Sequence, residues 1–225
     1  LEHIKNPYDF LLNIKNTAIN HNKQDKNILF YSEVPNILYT LRDLGIWDLI
    51  YEHYSHFTAL SLEKLFQKLN LKVINIEENY MGQFLGIEAT TDKKYNGNYK
   101  NQTDLERIKN FVKNFTSHFH KKRQEWAEKL TQLQKEKKNA VVWGGGAKGV
   151  SFLNFLKTEN YIDFIVDINP RKKDKYIAGT GQKYITPEDL KEIIPDVVIL
   201  MNPIYQEEVT KKLNELKLSP EILVA

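Results

Sequence analysis

The chain of 225 residues contains no cysteine. Disulfides and thiolate metal sites are therefore excluded within these residues, and nothing in the composition indicates an oxidising compartment. Long apolar runs are also missing, because none approaches the ~20 residues that a membrane-spanning helix needs. The first residues show no signal peptide. These absences predict a cytoplasmic protein that does not associate with a membrane.

A strong excess of one charge is likewise absent, since the net charge is only +3. Nucleic-acid binding needs a concentrated basic face, so we expect no nucleic-acid partner. Residues 91–138 are the exception, with 13 Lys/Arg against 6 Asp/Glu. Two interpretations stay open for them: a solvated helix face, or a surface for an acidic partner or phosphate.

The apolar residues, 41% of the chain, divide it into three parts. Residues 1–90 read as helix, strand, helix, strand, strand, which predicts an α/β unit that ends in a hairpin. Residues 91–138 predict a linker with one long amphipathic helix, which packs on a domain or on a second subunit. Its apolar stripe skips one position, at Lys122. Residues 139–225 alternate strands with helices, which predicts a small Rossmann-like sheet of four parallel strands.

Gly144, Gly146 and Gly149 form G-x-G-x-x-G between an apolar strand and an apolar helix. Glycines let a backbone approach an anion, and the following helix directs free N–H groups at it. Lys148 would neutralise a diphosphate there, and Asp167 stands where a dinucleotide-binding unit carries its ribose-binding acid. The alternative stays open that the glycines only let helix and strand pack closely.

Three more polar residues are candidate contacts to a sugar or ribose: Asn169, Thr180 and Asn202. Asn169 and Asn202 follow apolar strands, and Thr180 lies in a Gly-Thr-Gly run. Such residues also form ordinary turns, so both interpretations remain.

The densest acid–base cluster of the first part lies in residues 48–57 and includes Tyr51, Glu52 and His53. These side chains can supply a phenol for an oxyanion, an orienting carboxylate and a proton acceptor. A run of this kind also arises as ordinary loop sequence. His118 and His120 would point to different helix faces, so the sequence predicts no metal site.

Several short motifs, taken together, resemble the sugar C-methyltransferase family, whose members use S-adenosylmethionine to methylate a carbon beside the ketone of a nucleotide-linked keto-sugar. The similarity covers nearly the whole chain outside residues 91–138. In order, the motifs are Leu1-Glu2-His3-Ile4, Glu33-Val34-Pro35-Asn36, Ile50-Tyr51-Glu52-His53-Tyr54, residues 143–150, Val166-Asp167-Ile168-Asn169-Pro170, Gly179-Thr180-Gly181 and residues 195–203.

The resemblance implies the remainder of a Rossmann-like methyltransferase domain at residues 1–90 and a C-terminal Rossmann-like domain at residues 139–225. Zinc-binding cysteines and the glycine-rich turn for S-adenosylmethionine would precede Leu1. Zinc is therefore expected only in that preceding region. Residues 1–225 alone are not expected to bind S-adenosylmethionine or to be active.

In the family, the pair that matches Glu52 and His53 faces the sugar, and the histidine or its neighbour removes the proton. Ile50 occupies the place of the family's tyrosine, so Tyr51 or Tyr54 would have to replace it. Two other functions remain open: a non-catalytic nucleotide-binding or assembly module, and an NAD-dependent oxidoreductase suggested by the glycines and Asp167.

Overall fold

The structure is a computed structural model, described for residues 1–21, 27–97, 99, 105–158 and 161–225. These residues group into two compact units. The first unit comprises Leu1–Gly45 and Tyr51–Ser117, and the second comprises Ile46–Ile50 and His118–Ala225. The division at residues 90 and 138 stays a prediction, and residues 98 and 100–104 of the expected linker lie outside the described residues.

The described residues of the first unit form three helices, the first part of a long fourth helix and a three-stranded sheet, and they share an apolar core. The sheet has the order β1-β3-β2, and β3 is antiparallel to both neighbours. β1 and β2 are therefore parallel to each other, and β2 with β3 forms the expected hairpin. The elements are α1 (Pro7–His21), β1 (Leu29–Pro35), α2 (Ile37–Arg42), α3 (Ala59–Lys68), β2 (Lys72–Asn79) and β3 (Phe84–Thr90).

Local sequence explains where these helices begin. Thr58 caps α3, and Ser61 completes a reciprocal capping box, as the sequence predicts. The sequence did not reveal α2, because six residues are too few to show helical spacing. Asn36 caps α2 by accepting a hydrogen bond from the Leu38 N–H.

One long helix, α4 (Leu105–Lys135), follows and contributes residues to both units. Its existence and its start at Leu105 agree with the predicted apolar stripe. No helix among the described residues is long and apolar enough to span a bilayer.

The second unit is built on a parallel sheet, which confirms the mixed α/β class. Its strand order is β6-β5-β4-β7-β8, and every neighbouring pair is parallel. The sheet has five strands, not the four expected, because the three residues of β6 begin with a lysine and form no apolar run that would indicate a strand. The elements are β4 (Ala140–Trp143), α5 (Ala147–Leu156), β5 (Phe164–Val166), β6 (Lys183–Ile185), α6 (Leu190–Ile193), β7 (Val197–Leu200), α7 (Gln206–Glu215) and β8 (Glu221–Val224).

Part of the apolar stripe of α4 packs within the second unit. The Trp126 ring contacts Phe152 of α5 edge-on at 5.3 Å between centroids. Phe119 lies 6.3 Å from Phe155 in the same way. These residues thus take the intramolecular role foreseen for the stripe, and assembly of two copies through this helix stays a prediction.

Candidate functional site

Two distant segments of the first unit bring three acid–base side chains together: Glu2, His3 and His53. Backbone hydrogen bonds join the segments, since the N–H groups of Tyr54 and Ser55 both donate to the Glu2 carbonyl, at 2.8 and 3.2 Å. The rings of His3 and His53 meet edge-on with centroids 4.8 Å apart. Sequence reasoning had assigned roles to His53 but none to Glu2 or His3, because 50 residues separate the two histidines.

His53 is half-buried and suited to accept a proton. Burial lowers the pKa of its imidazole, and His3 and His56 lower it further, while the carboxylates of Glu2 and Glu52 oppose the shift. The ring is therefore unprotonated near neutral pH. A neutral imidazole beside two carboxylates fits a general base.

Glu52 and Tyr51 sit differently from what the sequence suggested. Glu52 is exposed, and its backbone carbonyl, not its carboxylate, lies 3.3 Å from His3 Nδ1. The Tyr51 side chain is 97% exposed and Tyr54 is 68% exposed. Neither phenol is enclosed in the cluster, so the oxyanion role predicted for Tyr51 gains no support from its position.

The cluster also has a spacing compatible with a metal ion. One ligand atom from each of Glu2, His3 and His53 lies within 4.8 Å of the others. Two imidazoles and a carboxylate are donors that divalent transition metals accept. The expectation of no metal site in this chain stays a prediction.

The first unit also contains a groove of about 300 Å³. Asn36, 3% exposed, stands at its edge and donates from Nδ2 to the Gly82 carbonyl at 3.0 Å. The next N–H, of Ile37, donates to the Phe57 carbonyl, which ties the groove to the segment that carries His53. Its polar lining includes Tyr39, Arg42, Glu78 and Arg107.

In the second unit, the predicted residues around the glycines follow the carboxyl ends of three adjacent strands. Residues 144–149 follow β4, Asp167 and Asn169 follow β5, and Asn202 follows β7. β5 lies on one side of β4 and β7 on the other, so the strand order reverses at β4. Ligands of open parallel sheets bind at such a reversal point.

Each of the three glycines of the motif has a different structural environment. Gly144 has a φ of +117°, which side-chain-bearing residues rarely adopt. A Cβ on Gly149 would lie 2.2 Å from the Gly144 carbonyl oxygen, so this glycine permits close packing of helix on strand. Gly146 has a φ of −79°, and a Cβ added there meets no atom within 4 Å. Gly146 is thus the one of the three that the surrounding protein does not require.

Gly145, which lies between the first two glycines of the motif, is covered by side chains. Lys172 Nζ and the Tyr184 hydroxyl both donate to the Gly145 carbonyl at 2.9 Å. Lys172 also pairs with Asp167 Oδ2 at 2.7 Å. Burial, and then Asp167, raise the pKa of Tyr184, so its phenol keeps the proton it donates. The carboxylate predicted to hold a ribose is therefore already engaged with a lysine.

Lys148 is likewise engaged within the second unit. Its Nζ lies 3.0 Å from Asp48 Oδ1, and both side chains are mostly buried. Lys122 of α4 faces the same carboxylate: burial lowers the pKa of Lys122 and Lys148 adds to the shift, while Asp48 and Glu125 oppose it. The apolar position skipped in the α4 stripe thus holds a half-buried lysine beside an ion pair.

The residues predicted to contact a sugar or ribose form local hydrogen bonds within the protein. The side-chain oxygens of Asn169 and Asn202 accept from the N–H groups of Arg171 and Ile204, at 3.0 and 3.3 Å. Thr180 donates to Gln182, which in turn donates to Thr158 at 3.1 Å. Thr180 therefore lies at the amino end of β6, near the C-terminus of α5. The structure does not place it beside the glycine-rich turn.

Comparisons with known proteins bear on the family. The family model described as the C-methyltransferase C-terminal domain matches residues 98–220, more than half of the chain. No curated protein sequence gives a significant match. Among solved structures, the crystal structure of RSP, a Rex-family repressor, is 12% identical to this chain, with 97% of this chain and 84% of that chain covered and a TM-score of 0.31. So low a score says nothing further about this molecule, and it is the family match that identifies it: the chain belongs to the C-methyltransferase C-terminal domain family.

Proposed function

We propose that the chain takes part in the carbon methylation of a nucleotide-linked keto-sugar with S-adenosylmethionine as methyl donor, and that His53 removes the proton beside the ketone. Membership of the C-methyltransferase C-terminal domain family supports the reaction class. The observation that carries the mechanism is the half-buried His53 imidazole, whose pKa is lowered first by burial. Carbon acids of this kind need a positioned base, and a base must be unprotonated to act.

The described residues of the first unit do not fit the cofactor itself. Their glycines stand in a loop, a hairpin and a strand: Gly45, Gly82, Gly86 and Gly97. None of these positions is a strand–turn–helix junction of the kind that holds a nucleotide cofactor. The share of the reaction that this unit supplies is therefore the acid–base part, namely proton abstraction and stabilisation of the resulting enolate.

For the second unit, we propose that the glycine-rich turn holds the diphosphate of the substrate. The open space at Gly146 and the N-terminus of α5 support this role. Gly144 and Gly149 shape the turn. Lys148 would leave its ion pair with Asp48 and bind the phosphate instead. Asn169 and Asn202 lie at the same edge of the sheet as the turn. Ribose contacts from Asp167 and Thr180 remain predictions, and the pairing of Asp167 with Lys172 favours neither them nor the NAD-dependent alternative.

The test of the mechanism is His53→Ala in the protein that carries these residues, assayed with S-adenosylmethionine and a nucleotide-linked keto-sugar. We expect kcat to fall by about 10²–10⁴-fold with cofactor affinity nearly unchanged. His56→Ala is the matched control, because His56 is exposed and its ring lies 6.3 Å from that of His53. Equal turnover in the two variants would remove His53 from the mechanism.

A further inference from the structure

The short helical turn Ile46–Asp48 of the second unit places an acidic side chain beside the start of α5. Trp47, 2% exposed, anchors it, because its ring contacts those of Phe152 and Phe155 of α5 at 4.9 and 6.3 Å between centroids. Lys148, Phe152 and Phe155 follow one another at helical spacing, so they lie on one face of α5. The packed indole thus sets the residue that follows it next to Lys148.

That residue is Asp48, and its carboxylate neutralises a cation at the start of α5. Asp48 Oδ1 lies 3.0 Å from Lys148 Nζ, and the two side chains are 16% and 24% exposed. Because α5 begins at Ala147, Lys148 stands in its first turn, where the helix dipole disfavours a positive charge. A carboxylate there stabilises both the ammonium group and the helix end. Asp48 is therefore the chain's own anion at the place that the proposed function gives to a phosphate.

A ligand that takes Lys148 would separate the mostly buried Asp48 carboxylate from its cation, which is costly unless another cation replaces it. The structure supplies such a cation in Lys122 of α4. This lysine stands between Phe119 and Trp126 in the stripe of α4, and the rings of both pack against α5. Its half-buried ammonium group is close enough to Asp48 and Lys148 for their charges to shift its pKa.

The charged groups that face Lys122 are Asp48, Glu125 and Lys148. Glu125 is 60% exposed and lies 3.8 Å from Lys121 Nζ, so water and a second lysine weaken its effect. Asp48 is thus the mostly buried carboxylate that both lysines share. Two lysines and one carboxylate leave one positive charge over, and an incoming anion would neutralise it.

We propose that Asp48 is a movable internal counter-ion: it pairs with Lys148 while the turn is empty, and it passes to Lys122 when the diphosphate of the substrate takes Lys148. The role rests on the proposed function. Asp48 and Lys122 are positioning residues, because neither touches the ligand. Asp48 therefore lowers the affinity for a diphosphate, and Lys122 raises that affinity only while Asp48 is present.

The test measures the affinity of inorganic pyrophosphate for residues 1–225 by calorimetric titration, and urea unfolding of each variant accompanies it. Asp48→Asn should bind pyrophosphate about 5–30-fold more tightly although its free energy of unfolding falls, because a mostly buried ion pair no longer has to be broken. Glu125→Gln is the matched control, since it removes the same charge from an exposed carboxylate, and its affinity should change by less than about twofold.

The same titration tests whether Lys122 acts through Asp48. Lys122→Met should weaken pyrophosphate binding by about tenfold in the otherwise unchanged chain and by less than about twofold in the Asp48→Asn background. A lysine that only supports the fold, or one that binds the anion itself, would cost the same affinity in both backgrounds. Lys121→Met, which removes an equal charge from a side chain that is 70% exposed, should leave the affinity within about twofold.

The outcomes separate this role from the proposed function. Unchanged or weaker binding by Asp48→Asn would overturn the counter-ion role, and so would an equal loss for Lys122→Met in both backgrounds. If Lys148→Met weakens binding while Asp48→Asn does not strengthen it, the phosphate site stands and the counter-ion role alone fails. If Lys148→Met leaves the affinity as it was, or if neither the unchanged chain nor Asp48→Asn binds pyrophosphate, the phosphate site itself fails and the role fails with it.

Discussion

The glycine-rich turn makes a quantitative prediction for Gly149→Ala. The new Cβ would stand 2.2 Å from the Gly144 carbonyl oxygen and 3.0 Å from Ile165 Cδ1. Even weakly bonded carbon and oxygen atoms keep about 3.3–3.6 Å apart, so α5 and the turn must separate by roughly 1 Å. The obstacle is backbone, which cannot rotate away as a side chain would.

The expected cost follows from two opposed effects. Overpacking of this kind costs about 1–3 kcal/mol. Alanine in place of glycine inside a helix recovers about 1 kcal/mol. Because the obstacle is backbone, we expect the overpacking cost at the upper end of that range, about 2–3 kcal/mol. The net loss in free energy of unfolding should then be about 1–2 kcal/mol, which for a chain of this size lowers Tm by about 2–8 °C.

Tryptophan fluorescence is the suitable assay, because all three tryptophans, Trp47, Trp126 and Trp143, belong to the second unit. Their signal therefore follows the unfolding of the unit that contains the turn. Gly146→Ser is the matched control: its backbone is extended, the space is open, and serine is a favoured N-cap. An unchanged Tm for Gly149→Ala, or equal losses for both variants, would refute the packing argument.

Three further predictions concern the second unit. Gly146→Val should leave Tm nearly unchanged but weaken binding of a nucleoside diphosphate in calorimetric titration at least about tenfold, because the side chain fills the space left for phosphate; undiminished affinity would make the turn a structural corner only. Urea unfolding of Lys148→Met, Asp48→Asn and the double variant should give a coupling free energy of about 1–2 kcal/mol between the two substitutions, because the ion pair is mostly buried. If the two losses in free energy of unfolding are simply additive, the contact contributes nothing to stability. The pKa of Asp189 is lowered to about 2, chiefly by the hydrogen bond from Lys173. The stability that this carboxylate contributes is therefore present above its ordinary pKa of 3.8 and is lost as pH falls through about 2. Asp189→Asn should flatten that part of the acid-unfolding curve, and an unaltered curve would exclude the effect.

Much of the fold could be predicted from the sequence, because the spacing of apolar residues and the capping residues indicate helices and strands locally. Spacing of apolar residues located α4, and the apolar runs located β4, β5 and β7. The capping residue Thr58 located the start of α3. Two elements were missed: α2, which is too short to show helical spacing, and β6, which begins with a lysine and forms no apolar run.

The sequence by itself determined which residue types are available: a glycine-rich turn after a buried strand, and a histidine in an acid–base run. Only the tertiary structure decided their surroundings, because contacts across long separations are not encoded in local spacing. It set Glu2 and His3 against His53, left Tyr51 in solvent, and paired Lys148 with Asp48 from 100 residues away. It also separated the glycine that the fold needs, Gly149, from the one that it leaves open, Gly146. Steric contact with the Gly144 carbonyl is the physical reason for the first, and empty space above the N-terminus of α5 for the second.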